Sequence, residues 1–136
     1  MGMKQILVMM VAVMLVGQSV VAEEKLIADP IVEKAIRKEL KKRTGKLTKA
    51  DLKKVTSLSL VRTQITDAGL KEVAKLQKLQ RLYLANTKIT DAGLKEVAKL
   101  QKLKSLYVGN TQITEAGVAE LKKALPNCSI HSNPTK

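Results

Sequence analysis

Apolar residues recur in one arrangement along residues 55–133. In each copy, a stretch of alternating apolar and polar positions precedes a stretch with apolar residues at i, i+3 and i+6. The alternation predicts a half-buried strand, and the second spacing predicts the buried face of a helix. Residues 65–79, ITDAGLKEVAKLQKL, recur letter for letter at residues 89–103, and a looser copy begins at Ile113. This 24-residue period predicts stacked units of one strand and one helix.

The strand positions expected to be buried are apolar in every copy. They are Val55, Leu58 and Leu60, then Leu79, Leu82 and Leu84, then Leu103, Leu106 and Val108. A fourth, shortened strand is predicted from Leu125, Cys128 and Ile130, which repeat the spacing after a 22-residue step. This register places Cys128 in the core, where we expect an unreactive thiol.

The helical part of each copy begins with residues suited to a helix N-terminus. Thr66 or Asp67 can cap the first repeat helix, and we expect Asp67 and Asp91 to act as caps. A glycine follows in the first helical turn of each copy, at Gly69, Gly93 and Gly117. We expect close packing, rather than phosphate binding, to explain these glycines.

The unit LxxLxLxxTxITDAGLKEVAKLxK resembles the leucine-rich repeat, and in particular the ribonuclease-inhibitor-like subtype with ITDxGL helices. The resemblance implies an α/β solenoid with a parallel sheet on the concave face and helices on the convex face. In that family, an Asn or Cys that bonds the loop backbone of neighbouring repeats stands where this chain has Thr63, Thr87 and Thr111. A threonine hydroxyl donates and accepts hydrogen bonds, so it can take over that role.

Residues 29–54 are predicted to form a basic helical cap over the first repeat, because a terminal repeat would otherwise expose its apolar face. Asp29 and Pro30 mark the start of a helix, and Thr48 with Asp51 predicts a second capped turn. The segment is similar to the N-terminal caps of internalin-like bacterial leucine-rich-repeat proteins. Residues 55–136 are then the repeat region.

Residues 1–22 have the pattern of a signal peptide. Lys4 precedes an apolar run at residues 6–16, and the small residue Ala22 ends a plausible cleavage site. Residues 23–28 are then expected to be a loose linker. The pattern predicts export to the periplasm or the cell exterior, with a membrane anchor formed by an uncleaved signal as the alternative.

Positive charge is concentrated in residues 34–54, here called the basic segment. The chain has 25 Lys and Arg against 12 Asp and Glu, and ten of these basic residues lie in the segment beside Glu39 and Asp51. Two interpretations are open, a solvated face or a contact patch for anionic polysaccharide or lipid head groups. The candidate polyanion-binding residues are Arg37, Lys38, Lys41, Lys42, Arg43 and Lys46. Nucleic acid is disfavoured as a partner because the chain carries an export pattern.

Motifs for catalysis or metal binding are missing from the sequence. The single histidine, His131, cannot form a metal cluster, and no GxSxG, HExxH or glycine-rich phosphate loop is present. We therefore expect no enzyme and no cofactor or metal site.

Side chains between the buried strand positions are expected to face a partner on the concave surface. Tyr83 and Tyr107 share a column with Ser59 and Ser129, whereas His131 is placed one column further along. The tyrosines either form a binding surface or only stabilise neighbouring strands by stacking. The candidate partner-binding residues are Arg62, Arg81, Tyr83, Asn86, Tyr107, Asn110 and His131.

A binding module for a protein or peptide is the function that this surface favours. The alternatives are polyanion or cell-envelope association through the basic segment, and a structural repeat fragment without a dedicated ligand.

Overall fold

Four short strands lie side by side in chain order in one parallel sheet. The structure is a computed structural model and describes residues 26–132. The strands are β1 (Ser57–Ser59), β2 (Arg81–Tyr83), β3 (Ser105–Tyr107) and β4 (Ser129–His131). Parallel neighbours need a crossover connection, and the repeat helices provide it.

Helices precede the sheet and connect its strands. α1 (Pro30–Leu40) and α2 (Lys49–Lys53) come before β1. α3 (Leu70–Val73), α4 (Asp91–Val97) and α5 (Glu115–Ala124) each connect two consecutive strands. The α/β solenoid predicted from the repeat is confirmed.

The core is built from the leucines that the period-two pattern marks. Leu58, Leu82 and Leu106 occupy the centre of β1, β2 and β3, and each is completely buried. Val32 and Ile36 of α1 complete the core at its N-terminal end. Since alternate strand residues point to opposite faces, the polar residues between these leucines lie on the concave face.

An aspartate of each repeat is bonded to a threonine of the next. The Asp67 carboxylate accepts the Thr90 backbone N–H at 2.8 Å and the Thr90 hydroxyl at 2.5 Å. Asp91 makes the same two bonds with Thr114, at 2.9 and 2.5 Å. The prediction that these aspartates cap helices was wrong, because Asp91 is already the first residue of α4 and its side chain reaches the next repeat.

The threonines themselves cap the repeat helices. The Thr90 hydroxyl oxygen accepts the Ala92 N–H at 3.3 Å, and Thr114 does the same for Gly117 at 3.1 Å. Each hydroxyl therefore donates to the preceding repeat while it accepts from its own helix. One side chain joins a helix start to the neighbouring repeat.

The first-turn glycines leave room for this contact. A Cβ on Gly93 would lie 2.5 Å from Asp67 Oδ1 and 2.6 Å from a Leu70 methyl carbon. A Cβ on Gly117 would likewise clash with the Asp91 carboxylate. The close packing expected at these glycines is confirmed.

The threonines that follow the strands bond within their own repeat. The Thr87 hydroxyl donates to the Leu84 carbonyl at 2.7 Å, and Thr63 and Thr111 make the same bond three residues back. The family resemblance implied that these threonines bond the neighbouring repeats, but their hydroxyls donate within their own repeat. The aspartates described above make that connection instead.

The fourth strand pairs two residues away from the predicted register. Ile130 lies opposite Leu106 and His131 opposite Tyr107, which keeps the 24-residue step and replaces the predicted 22. α5 has ten residues where α4 has seven, so the linker to the strand is shorter while the step is unchanged. Cys128 is nevertheless buried, and burial raises the pKa of its thiol, which fits an unreactive cysteine.

Residues 26–28 pack against the first repeat, so this part of the predicted loose linker was wrong. Ile27 is 1% exposed, and the Ala28 N–H donates to a Glu72 carboxylate oxygen at 2.9 Å. Burial alone would raise the pKa of Glu72, but the bonds from Ala28 and the Lys75 ammonium leave it below its usual value. Burying an isoleucine offsets the entropy lost by ordering this short segment.

The signal peptide predicted at residues 1–22 lies outside the described residues. Within residues 26–132, no helix has the length and apolar character needed to cross a membrane.

We predict that Asp67→Ala lowers the free energy of unfolding by about 2 kcal/mol, because it leaves the Thr90 N–H and hydroxyl without their charged acceptor. Glu115→Ala is the matched control. Glu115 occupies the equivalent place in the last copy, is exposed, and has no following repeat among the described residues. Urea unfolding of both variants measures the difference, and an equal loss in both would contradict a link between repeats.

Candidate functional site

Three rings form a continuous stack across the concave face, here called the aromatic stack. The ring centroids of Tyr83 and Tyr107 are 4.8 Å apart, with planes 12° from parallel. Those of Tyr107 and His131 are 4.4 Å apart and 9° from parallel. Neighbouring strands are about 4.8 Å apart, so the sheet itself sets the stacking distance.

His131, not Ser129, is the third member of this column. The prediction placed Ser129 beside Tyr107, but the register pairs Ser129 with Ser105 and His131 with Tyr107. A shift by two residues keeps alternate side chains on the same face, so His131 stays on the concave surface.

The aromatic stack remains accessible to a partner. Tyr83 and Tyr107 are half-buried, and His131 is exposed. Stacking occupies ring faces and leaves the ring edges and both phenolic hydroxyls for hydrogen bonding. Cross-strand ring pairs also stabilise a sheet, so the geometry is compatible with both interpretations of the tyrosines.

A row of turn residues lies at the end of the strands. Arg62, Asn86 and Asn110 occupy the same place in successive repeats, and all have left-handed backbones, with φ of 60°, 59° and 56°. The Asn110 side-chain amide donates to the Asn86 side-chain oxygen at 2.5 Å. Asparagine adopts this conformation readily, whereas arginine seldom does.

Arg81 completes the group of candidate residues. It is exposed, lies opposite Ser57 and Ser105, and precedes Tyr83 by two residues on the same face. The structure therefore brings the seven candidates together on the concave face and its adjoining turns.

Part of the basic segment is occupied by contacts within the fold. The Arg37 guanidinium bonds Glu33 at 3.0 Å and the Gly45 carbonyl at 2.7 Å, which ties α1 to the following loop. The Lys42 ammonium lies 2.8 Å from Asp51. These contacts favour a structural role for Arg37 and Lys42, since both charges already have partners within the fold.

Asp51 is the centre of the contacts around α2. It accepts the Thr48 N–H at 2.9 Å, and its own N–H donates to the Thr48 hydroxyl at 3.1 Å, which is a capping box. The hydrogen bond from the Lys42 ammonium, with these backbone bonds, holds the pKa of Asp51 at about 2. The second capped turn predicted from Thr48 and Asp51 is confirmed.

Three other basic residues are open at the end of α1 and in the loop that follows it. Lys38, Lys41 and Arg43 are exposed, line one groove, and form no salt bridge to an acidic residue among those described. Lys41 ends α1 with a φ of 57°, a left-handed position that glycine usually occupies. Lys46 lies in the loop before α2, and its residue surface is exposed.

No group of three or more His, Cys, Asp or Glu side chains within residues 26–132 could hold a metal ion. The arrangement of the candidate site offers rings, amides and arginines, which suit binding rather than metal chemistry.

Comparison with known families identifies the repeats. A model described as leucine rich repeats, in two copies, matches residues 77–127, and a second leucine-rich-repeat model matches residues 52–74. Among curated proteins, none matches the chain.

Solved structures with a similar backbone include two internalins of Listeria monocytogenes str. 4b F2365. Internalin InlF is 20% identical with a TM-score of 0.49, and the match covers 77% of this chain and 38% of that one. Internalin C2 is 17% identical with a TM-score of 0.38, over 85% and 80% of the two chains. The CBM51-2 and INT domains of Clostridium perfringens ZmpB are 22% identical with a TM-score of 0.47, over 68% and 20%.

We predict that the contribution of Asp51 to stability disappears in acid. Its pKa is about 2 in the folded chain against a usual 3.8, so the contribution is complete above the usual value and is lost as the pH falls through about 2. Asp51→Asn should therefore be less stable than wild type near neutral pH, with the difference narrowing in acid. Urea unfolding at several pH values measures it. Glu39→Gln removes one exposed carboxylate from the same segment and is the matched control, with stability near that of wild type at neutral pH.

Proposed function

Since the chain is a leucine-rich-repeat protein, we propose that it is a binding module that recognises a protein or peptide through its concave face, without catalysis of its own. The observation that carries this proposal is the accessible aromatic stack of Tyr83, Tyr107 and His131, with Arg81 beside it. Tyrosine and arginine are enriched among the residues that dominate binding energy in interfaces.

The sequence differences between repeats support the same surface. Residues 65–79 and 89–103 are identical, whereas the concave positions between the copies differ. The identical letters make the contacts that hold the repeats together. The concave residues take no part in the bonds between aspartate and threonine, so they can differ from repeat to repeat without breaking those links.

The size of the sheet limits the partner. Four strands span about 14–19 Å, and the concave residues of one strand add about 13 Å along it. This area is far below the roughly 800 Å² that each partner buries in a standard protein interface. The proposed ligand is therefore a short peptide or one exposed loop of a protein, bound weakly by the concave face alone.

The proposed site of action is the periplasm or the cell exterior. The support is the signal-peptide pattern at residues 1–22, in which an apolar run follows Lys4 and ends before Ala22.

We predict that Tyr83→Ala combined with Tyr107→Ala lowers peptide affinity by about tenfold or more, because the two rings supply most of the apolar contact area. The ligands are peptides selected from a displayed random library on the wild-type chain, and calorimetry measures their dissociation constants.

The matched control is Lys71→Ala combined with Lys95→Ala, at equivalent exposed places on the helices. It should leave affinity unchanged. If the selected peptides bind the tyrosine double variant as well as wild type while its circular dichroism is unchanged, the concave face is not the site.

A second candidate function is association with an anionic surface. It is favoured by Lys38, Lys41 and Arg43, which lie along one groove of α1 without acidic partners among the described residues. Like charges held together on the last turn of a helix and in the loop after it attract polyanions and anionic lipid head groups.

This candidate predicts that Lys38→Glu, Lys41→Glu and Arg43→Glu together weaken binding to phosphatidylglycerol vesicles by about 100-fold or more, since each basic residue near such a surface contributes about 1 kcal/mol. Sedimentation with vesicles at low and high salt measures the effect. The control is Lys71→Glu, Lys95→Glu and Lys122→Glu together, which changes the net charge of the protein by the same amount at exposed places away from the groove. Equal losses in both triple variants would show that only net charge matters.

A further inference from the structure

Two rows of side chains on the concave side, one of rings and one of amides, do not continue onto the first strand, β1. The aromatic stack ends at Tyr83, because the residue opposite Tyr83 on β1 is Ser59. The amide pair ends at Asn86, because the equivalent turn residue after β1 is Arg62. Ser59 and Arg62 are both exposed. The first repeat therefore leaves an open place beside a tyrosine ring and beside a side-chain amide.

The open place has the dimensions of one more ring. The Tyr83 and Tyr107 centroids are 4.8 Å apart, which equals the spacing of neighbouring strands. A ring held over Ser59 would therefore stack on the outer face of Tyr83 at the same distance. Within residues 26–132, the only ring stacked on Tyr83 is Tyr107, so its other face carries no ring of the protein.

Arginines lie on both sides of this place along the strand direction. Arg81 precedes Tyr83 by two residues on the same face, a distance of about 7 Å. Arg62 follows Ser59 by three residues, or about 10 Å along the chain. Both arginines are exposed, and neither forms a salt bridge with a described residue. A ligand over Ser59 would meet positive charge at either end.

The backbone at Arg62 points to the same place. Its φ of 60° is left-handed, and the other two repeats have asparagine at this position. Asparagine is several times more frequent there than arginine in proteins generally. The turn adopts this conformation in all three repeats, so an arginine there costs stability that an asparagine would not cost, which is consistent with a binding role for its side chain.

We propose that the open place over Ser59 binds an aromatic side chain of the partner, flanked by carboxylates that pair with Arg62 and Arg81. The proposal rests on the concave binding function proposed above and specifies its ligand, an aromatic residue within an acidic peptide segment. The aromatic side chain completes a four-ring stack with Tyr83, Tyr107 and His131.

The probe is the acetylated and amidated pentapeptide Asp-Gly-Phe-Gly-Asp. In an extended peptide, alternate residues share a face, so the ring and both carboxylates point the same way. Amide chemical shifts of the ¹⁵N-labelled protein report the site and the affinity. We expect the largest shifts around Ser59 and Tyr83, and affinity about two- to tenfold above that of the peptide with leucine in place of phenylalanine. The peptide with asparagine in place of both aspartates should also bind more weakly.

Variants of the open place separate stacking from charge. Ser59→Tyr fills it with the protein's own ring, so affinity for the probe should fall by about tenfold, whereas Ser59→Ala should stay within about twofold. Arg62→Asn should raise the midpoint of thermal unfolding, because asparagine adopts the left-handed conformation more readily. It should also abolish the preference for aspartate over asparagine at the probe position that faces residue 62. Ser59→Val fills the place without a ring and serves if Ser59→Tyr does not fold.

The proposal is overturned by any one of three results: the phenylalanine probe does not bind, the leucine peptide binds with the same affinity, or filling the place at Ser59 leaves the affinity for the probe unchanged. In each case, library-selected peptides that lose affinity on the Tyr83 and Tyr107 double variant would leave the concave function standing. If those peptides also bind the double variant normally, both proposals fail together.

Discussion

The bonds from Thr90 to Asp67, and from Thr114 to Asp91, hold the starts of successive repeat helices at one fixed offset. Each carboxylate accepts a backbone N–H and a hydroxyl, and the hydroxyl also accepts from the first turn of its own helix. Charge-assisted bonds of this kind are about twice as strong as neutral ones. Because the offset is constant, the strands follow at a constant step, and side chains on neighbouring strands stand directly opposite one another. The aromatic stack is a consequence of that register.

The same contact explains why some letters of the repeat are constant while others vary. Threonine must cap and donate, aspartate must accept twice, and glycine must leave room, as Gly93 does against Asp67. Any exchange at these places loses a bond or creates a clash. The concave positions carry no such requirement, so serine, tyrosine and histidine all occur in one column. The protein thus combines a uniform scaffold with a surface on which each strand contributes something different. Glu115 replaces the aspartate in the last copy, and no following repeat lies among the described residues.

The sequence predicted the strands and core of the first three repeats because apolar spacing and exact repetition report the same register. It failed at β4, where Leu125, Cys128 and Ile130 repeat the apolar spacing but the backbone ladder continues at 24 residues. It also assigned the aspartates to their own helices, since an acidic residue at a helix start suggests a cap. The recurring separation of 23 residues between aspartate and the next threonine was the available indication of a link. Counting charge could not show that Arg37 and Lys42 have partners, because Glu33, Gly45 and Asp51 approach them only in the fold.

If the aspartate, threonine and glycine of each repeat hold it in position against its neighbour, the residues of the scaffold and those of the binding surface form two separate sets. A paired scan of stability and ligand affinity over residues 55–132 tests this separation most directly, with every position changed to alanine, or to serine where alanine is native. Changes at Asp67, Thr90, Gly93 and their equivalents in the next repeat should lower stability. Ligand affinity should then fall only as far as the fraction of folded protein falls. Changes at Tyr83, Arg81 and Arg62 should lower affinity at nearly unchanged stability. A separate scaffold and binding surface are contradicted if the concave changes reduce stability as much as the scaffold changes do and have no separate effect on affinity.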